Sequence, residues 1–236
     1  MPRLFEGSAR NWKFVAGFVA ASILFWFAQF AYQFHVLSPG DMGSSFVRSF
    51  AFAGATMIGA SLFSSALFKW VPSWARYWHV RRSLGVVGTF FIVFHVLSVL
   101  NFFMSWDASV IFSALNPFQN PLIFGVLALP IFAMMTLTST DWALGKLGFA
   151  RWKALHRLVY FAYMFSVFHF LLINPPMLMN PAGYLLIGMT FLALAGELFW
   201  FVKTVWLKKS SPLGSAVGIF IIFLWLLFGY LAFLAK

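Results

Sequence analysis

The sequence predicts an all-α fold, a polytopic transmembrane helix bundle of seven helices, and three observations lead there. Of 236 residues, 62% are hydrophobic and 9% charged, where soluble domains carry roughly a quarter charged residues. The apolar residues collect in seven runs, each close to the ~20 residues that cross a hydrocarbon core. The basic residues gather between alternate runs. Each span must be helical, because isolated strands leave backbone amides unsatisfied in lipid.

The spans are read at residues 14–37, 49–68, 83–105, 119–138, 155–174, 183–203 and 213–235. The first is uncharged throughout, longer than the ~7–15 apolar residues of a signal peptide, and is kept as a helix. Ser38-Pro39-Gly40 separates it from the second, and Arg81-Arg82 opens the third. Asn116-Pro117 and Asn120-Pro121 lead into the fourth, whose Pro130 is expected to kink it. The fifth stops at Asn174-Pro175-Pro176; the sixth carries Glu197, the one acidic residue deep within a span. Ser211-Pro212 precedes the seventh, which only Lys208 and Lys209 pin at its start. Short punctuated loops imply a single transmembrane domain over residues 1–236.

A formal charge of +11 raises the question of nucleic acid, and the positions of the charges answer it. Fourteen of the 16 basic residues fall on one side of the predicted topology; Arg48 and Lys236 alone take the other. That asymmetry predicts a cytoplasmic N-terminus in a bacterial inner membrane, with contact to anionic membrane lipid and none to nucleic acid. The absence of Cys excludes disulfides, iron–sulfur clusters, thiolate zinc and covalent heme attachment. With no Gly-rich phosphate loop or dinucleotide fingerprint, any electron donor is external: a quinol, or a separate flavoprotein carrying its own flavin.

Ligating side chains inside spans are costly and point to function. His35 and His79 fall near span ends, where an ordinary interfacial role suffices. His95 lies 13 residues past Arg82 and His169 lies 12 past Arg157, so at 1.5 Å per residue both sit roughly 18–20 Å from the basic flank. Two imidazoles at one depth on helices of one direction can bind a heme iron from opposite faces, which gives an electron carrier. The alternative is that each hydrogen-bonds a neighbouring carbonyl. His156 lies about 20 Å nearer the basic flank, and thirteen helical steps turn it about 140° from His169; one heme is therefore preferred, with a second as the extension.

Heme propionates need cationic or hydrogen-bonding partners. Arg48 at the opposite edge suits an outer propionate, or else snorkels to headgroups; Arg82 and Arg157 would serve an inner site or anchor lipid. Gly85 and Gly88 leave room for a macrocycle or for close helix packing. Phe90, Phe91, Phe94, Phe161 and Phe165 are available to wall a heme. Glu197 must be protonated, hydrogen-bonded or paired, and a proton-coupled quinone site is one use for it.

Arg81-Arg82-Ser83-Leu84-Gly85 with Phe90, Phe91 and His95 resembles the third-helix motif of the ferric reductase-like transmembrane domain family. Thr138-Ser139-Thr140, Leu144-Gly145, Trp152 and Leu155-His156-Arg157-Leu158-Val159-Tyr160 through His169 resemble its fourth-to-fifth helix signature. Within that family the likeness is to the branch of heme-binding membrane subunits of periplasmic methionine-sulfoxide reductase systems. The resemblance covers residues 45–205 and implies a six-helix ferric reductase-like core. It implies b-type heme with His95 and His169 as metal ligands, a supporting or second-site role for His156, and outward electron transfer to a periplasmic redox acceptor. The seventh helix exceeds the six of that branch, and the first helix carries no matching motif. The competing class is a cofactor-free small transporter or assembly factor whose buried His and Glu line a polar path; the internal repeats common among transporters are not evident here.

Overall fold

The computed structural model describes residues 12–206 together with 219, 220, 222, 223 and 225–227. Among them α1 spans Trp12–Tyr32, α2 Met42–Trp70, α3 Trp78–Phe102, α4 Leu122–Thr138, α5 Asp141–His156, α6 Val159–Ile173 and α7 Pro181–Trp206. Five segments are long and apolar enough to cross a membrane, and α4 is a shorter apolar helix. The chain is thus a multi-pass membrane protein with an all-α fold. Most of the predicted seventh span, 213–235, lies outside the described residues; those of it that are described are helical, and Trp225 packs against Phe168 of α6.

The helix at the centre is α2, which packs against α1, α3, α6 and α7. Its composition explains why. Ser45, Ser49, Ala53, Gly54, Ala55 and Ala66 are buried along it, and small residues let helix backbones approach closely in lipid, where dispersion replaces the hydrophobic effect. The closest approach is to α3. A Cβ at Gly54 would lie 2.9 Å from the Gly88 carbonyl oxygen, and one at Gly88 would lie 3.0 Å from that of Gly54. Gly88 therefore serves helix packing, and Gly85, against the Ser61 hydroxyl, faces the same helix.

Local chemistry moves several ends from where hydrophobicity alone puts them. α2 begins at Met42, seven residues before the predicted span, because the Asp41 carboxylate caps it by accepting from the Ser44 backbone N–H at 3.0 Å. The Ser44 hydrogen bonds hold the Asp41 carboxyl below its ordinary range. The cap's contribution is therefore present above the unfolded-state pKa and lost as pH falls through the lower folded value. Asp41→Asn is expected to keep the cap and remove that acid-side loss, and thermal scans across pH 3–6 check it. The first span ends in a five-residue π-helix, Gln33–Leu37. Pro130 sits within α4, which continues through it.

The predicted fifth span, 155–174, lies within a longer apolar helical segment, Asp141–Ile173, that divides at Arg157-Leu158. His156 is the last residue of its first part, α5, which replaces what reads as a loop, and the rest of the span is α6. Thr140 caps α5 by accepting from the Ala143 N–H at 3.1 Å. Gly148, at φ 72°, bends it midway, a conformation glycine adopts without steric cost. Its exposed Trp142 and Phe149, with Lys146, Arg151 and Lys153 alongside, give it the make-up of an interfacial helix. A search for ~20-residue apolar runs passes over such a helix.

Candidate heme site

His95 of α3 and His169 of α6 face each other with ring centroids 6.2 Å apart and planes at 74°. α3 and α6 scarcely touch otherwise; each is held by neighbours, α3 by α2 and α4, and α6 by α4 and α2. The rings thus meet between helices that are held by other neighbours, and both residues are half-buried.

Each ring is tied to backbone by the same device. His95 Nδ1 lies 2.9 Å from the Val47 carbonyl oxygen, and His169 Nδ1 lies 2.9 Å from that of Pro121. A carbonyl only accepts, so each Nδ1 carries the proton and donates it. In the neutral ring the proton-free Nε2 is then left with its lone pair for a metal, and a carbonyl on the far nitrogen fixes both tautomer and aim. The carbonyls belong to residues at the start of a helix antiparallel to the one bearing the imidazole. At Gly125 of α4 a Cβ would stand 3.6 Å from the His169 ring, so this glycine leaves space beside the imidazole.

Two metal–imidazole bonds of about 2.0 Å, with the half-width of each ring added, span roughly 6 Å between centroids. The His95–His169 spacing fits one metal ion between them. No group of three or more His, Cys, Asp or Glu side chains is gathered among the described residues. A pair of imidazole nitrogens would therefore suit a group that brings the rest of its metal ligands itself, as a porphyrin does.

Residues 50–167 match the family described as "ferric reductase like transmembrane component". The chain belongs to the ferric reductase-like transmembrane family. It is similar to proteins named "protein-methionine-sulfoxide reductase heme-binding subunit MsrQ". The Rhodospirillum rubrum protein is 30% identical, with 60% of this chain and 69% of that protein covered. Those of Brucella ovis and Brucella canis are each 29% identical, with 56% of each chain covered. This chain thus spans about half to two thirds of these relatives. The ferric reductase-like segment holds Gly54, Gly88, His95, Gly125 and His156; His169 falls two residues beyond it.

The end of the ferric reductase-like bundle that carries most of the basic residues is organised differently. His156 stacks on Trp152 with centroids 3.9 Å apart, and its Nε2 meets the Thr138 hydroxyl at 3.1 Å. The Trp152 indole N–H donates to the Thr138 carbonyl at 2.9 Å. Arg82 donates to the Ser139 carbonyl and pairs with Asp141 at 2.8 Å. Arg81 also acts electrostatically on His156. Arg157 is exposed in the turn between α5 and α6. The structure therefore gathers Arg82 and His156 around the Thr138–Asp141 corner and leaves Arg157 at the surface.

At the other end Arg48 donates to the Ser38 hydroxyl and feels the Asp41 charge. It follows Val47, whose carbonyl holds His95. Of the phenylalanines, Phe91 is buried against Ala53 and Met57 of α2, Phe90 and Phe94 are exposed, and Phe161 and Phe165 pack with Phe124, Met164 and Phe168. His35 and His79 are exposed, each edge-on to a phenylalanine.

Glu197 is paired. Lys69 of α2 donates to both its carboxylate oxygens at 2.7 Å. Sequence alone shows the need for a partner but not which basic residue a neighbouring helix brings. The pair is partly exposed, so its worth is discounted from that of a buried ion pair. Glu197→Leu or Lys69→Met alone is expected to cost about 1–3 kcal/mol, because each strands its partner's charge. The double variant is expected to recover most of it, and a double-mutant cycle on thermal unfolding in detergent measures the difference.

Proposed function

We propose that the chain is a b-type heme protein of the bacterial inner membrane that passes electrons from quinol or a flavoprotein to a periplasmic acceptor. The observation that carries this reading is the facing pair His95 and His169, each with Nδ1 committed to a backbone carbonyl and Nε2 left for iron. The names of the relatives support the cofactor, and the basic asymmetry supports a cytoplasmic N-terminus.

In this reading His95 and His169 hold the heme, which when bound takes and gives one electron at a time. The chain's own part is positional. Val47 and Pro121 set the two rings, and Gly125 keeps side-chain bulk away from the His169 ring. With His95 and His169 both holding it, the group would supply electron relay and not oxygen binding. Arg48, in the residue after Val47, is near enough in sequence to meet a propionate by exchanging its Ser38 hydrogen bond. His156, with Arg82 and Arg157, serves the basic end as support or as the place of a second heme.

Protein purified from heme-replete cells is expected to be coloured and to give a b-type difference spectrum on reduction. A pyridine hemochrome assay against protein concentration is expected to give about one heme per chain. A ratio near two would put a second group at His156. A ratio near zero, with the helices intact, would overturn the proposal.

A further inference from the structure

The segment between α3 and α4 connects the two halves of the imidazole pair. It leaves α3 at Phe102, about two turns past His95, and it enters α4 at Pro121, whose carbonyl oxygen takes the His169 Nδ1 proton. Its backbone does not follow the preferences of its own residues. Ser105 and Trp106 take φ of 46° and 65°, a left-handed region that is costly for any residue but glycine. Its short 3-10 helix, Ala108–Phe112, is capped by Asp107, which accepts from the Ser109 N–H at 2.9 Å. Asn120 then ties this helix and the turn after it to the start of α4.

Both ends of the Asn120 carboxamide are used. Its Nδ2 donates to the Ile111 carbonyl at 2.7 Å and to the Ala114 carbonyl at 3.0 Å, and its Oδ1 accepts from the Leu122 N–H at 3.3 Å. The reversed amide would set its oxygen against two carbonyl oxygens and its NH2 against an N–H, so the orientation is forced. Leu122 opens α4, and an N–H in that position has no acceptor inside its helix. The N–H that Asn120 holds and the carbonyl that holds His169 are the two ends of one peptide group, the one joining Pro121 to Leu122. A peptide group is planar, so fixing the direction of its N–H fixes the direction of its C=O. The His95 tie needs no such help, because the peptide joining Val47 to Arg48 lies past the first turn of α2, where the helix itself supplies the acceptor.

We infer that Asn120 is a positioning residue for His169, orienting the imidazole through the peptide group that both of them bind. The hydrogen bonds stand by themselves; their bearing on an iron ligand rests on the heme reading above. Two effects run from Asn120 Oδ1 through the Leu122 N–H and the Pro121 C=O to His169 Nδ1–H. One is aim, since the carbonyl that sets the ring is itself set. The other is polarisation: a peptide whose N–H is engaged is a better acceptor at its oxygen, and a stronger bond at Nδ1 makes Nε2 a more basic ligand. The two Nδ2 bonds do separate work, closing the loop onto Ile111 and Ala114. One side chain thus joins loop closure to ring orientation, and substitution can part the two.

The test uses the full chain in nanodiscs and two substitutions. Asn120→Ser keeps an oxygen within reach of the Leu122 N–H, as in an ST-turn, but loses the bonds to Ile111 and Ala114; Asn120→Ala loses all three. Both are expected to lower the melting temperature, since both release the loop. The His169 Nδ1–H is followed by nitrogen NMR of histidine-labelled protein, reduced where it is coloured, and assigned by its loss in His169→Gln. Its exchange with water is expected to quicken about tenfold in Asn120→Ala and to stay near the unaltered rate in Asn120→Ser. In coloured protein, heme affinity is expected to fall about tenfold and the midpoint potential to rise in Asn120→Ala, with Asn120→Ser again near the unaltered chain. Asn120→Leu, which keeps the bulk, takes the place of Asn120→Ala should that chain not fold. Equal changes in the Ser and Ala variants, an unmoved His169 signal in Asn120→Ala, or an Asn120→Ser chain that does not fold would reduce Asn120 to loop closure and overturn the inference. A colourless chain whose His169 signal still answers to Asn120→Ala would overturn the heme proposal and leave this hydrogen-bond chain standing; a coloured chain whose signal ignores position 120 would do the reverse.

Discussion

His95→Ala and His169→Ala are each expected to remove one heme equivalent per chain, from about one to below a tenth when a single heme is present. The helices should survive, because α3 is held by α2 and α4, and α6 by α4 and α2, rather than by the two rings. Far-UV circular dichroism and detergent-phase elution check the fold, and the hemochrome assay checks the cofactor. His156→Ala is the comparison that separates the two ends of the bundle. It should leave the heme between His95 and His169 in place and lower the count only if a second group is bound. Unchanged heme in both the His95 and His169 variants, with folding intact, would sink the assignment.

The second large effect is steric. Gly54→Leu forces a branched side chain into a space where even a Cβ would sit 2.9 Å from the Gly88 carbonyl oxygen and as near to the Ile92 side chain. Backbone cannot yield as a flexible side chain can, so the helices must part, at about 1–3 kcal/mol or more. The same displacement carries α2, and with it the Val47 carbonyl, away from His95. A fall of several degrees in melting temperature is therefore expected to come with weaker heme retention. Gly17→Leu is the control, because nothing lies within 4 Å of a Cβ there. Equal losses in both variants would mean that helix propensity, not the α2–α3 contact, sets the effect.

Much of the architecture could be read from residue order. Apolar run length and the placing of arginines and lysines located the six spans that the described residues include, since both are imposed by the bilayer itself. Equal distance from Arg82 and Arg157 put His95 and His169 at one depth, and they do meet. What residue order could not supply was anything set by a neighbour. Lys69 as the partner of Glu197 depends on how α2 lies against α7. Thr138 as the partner of His156 depends on α5, a helix that reads as a loop in the sequence. The burial of Gln29 and Gln33 depends on the approach of other helices to α1. The π-helix at Gln33–Leu37 follows no pattern of hydrophobicity.

The two nitrogen-to-carbonyl ties have a consequence for how this protein tolerates change. Because the acceptors at positions 47 and 121 are peptide groups, every amino acid placed there brings the same oxygen. A substitution scan would mark both positions as unimportant while the atoms that orient the imidazoles went untouched. Only alterations that shift the main chain, such as a one-residue insertion ahead of either position, would reveal them. Sequence drift can accordingly be wide at the two points on which ring orientation depends most.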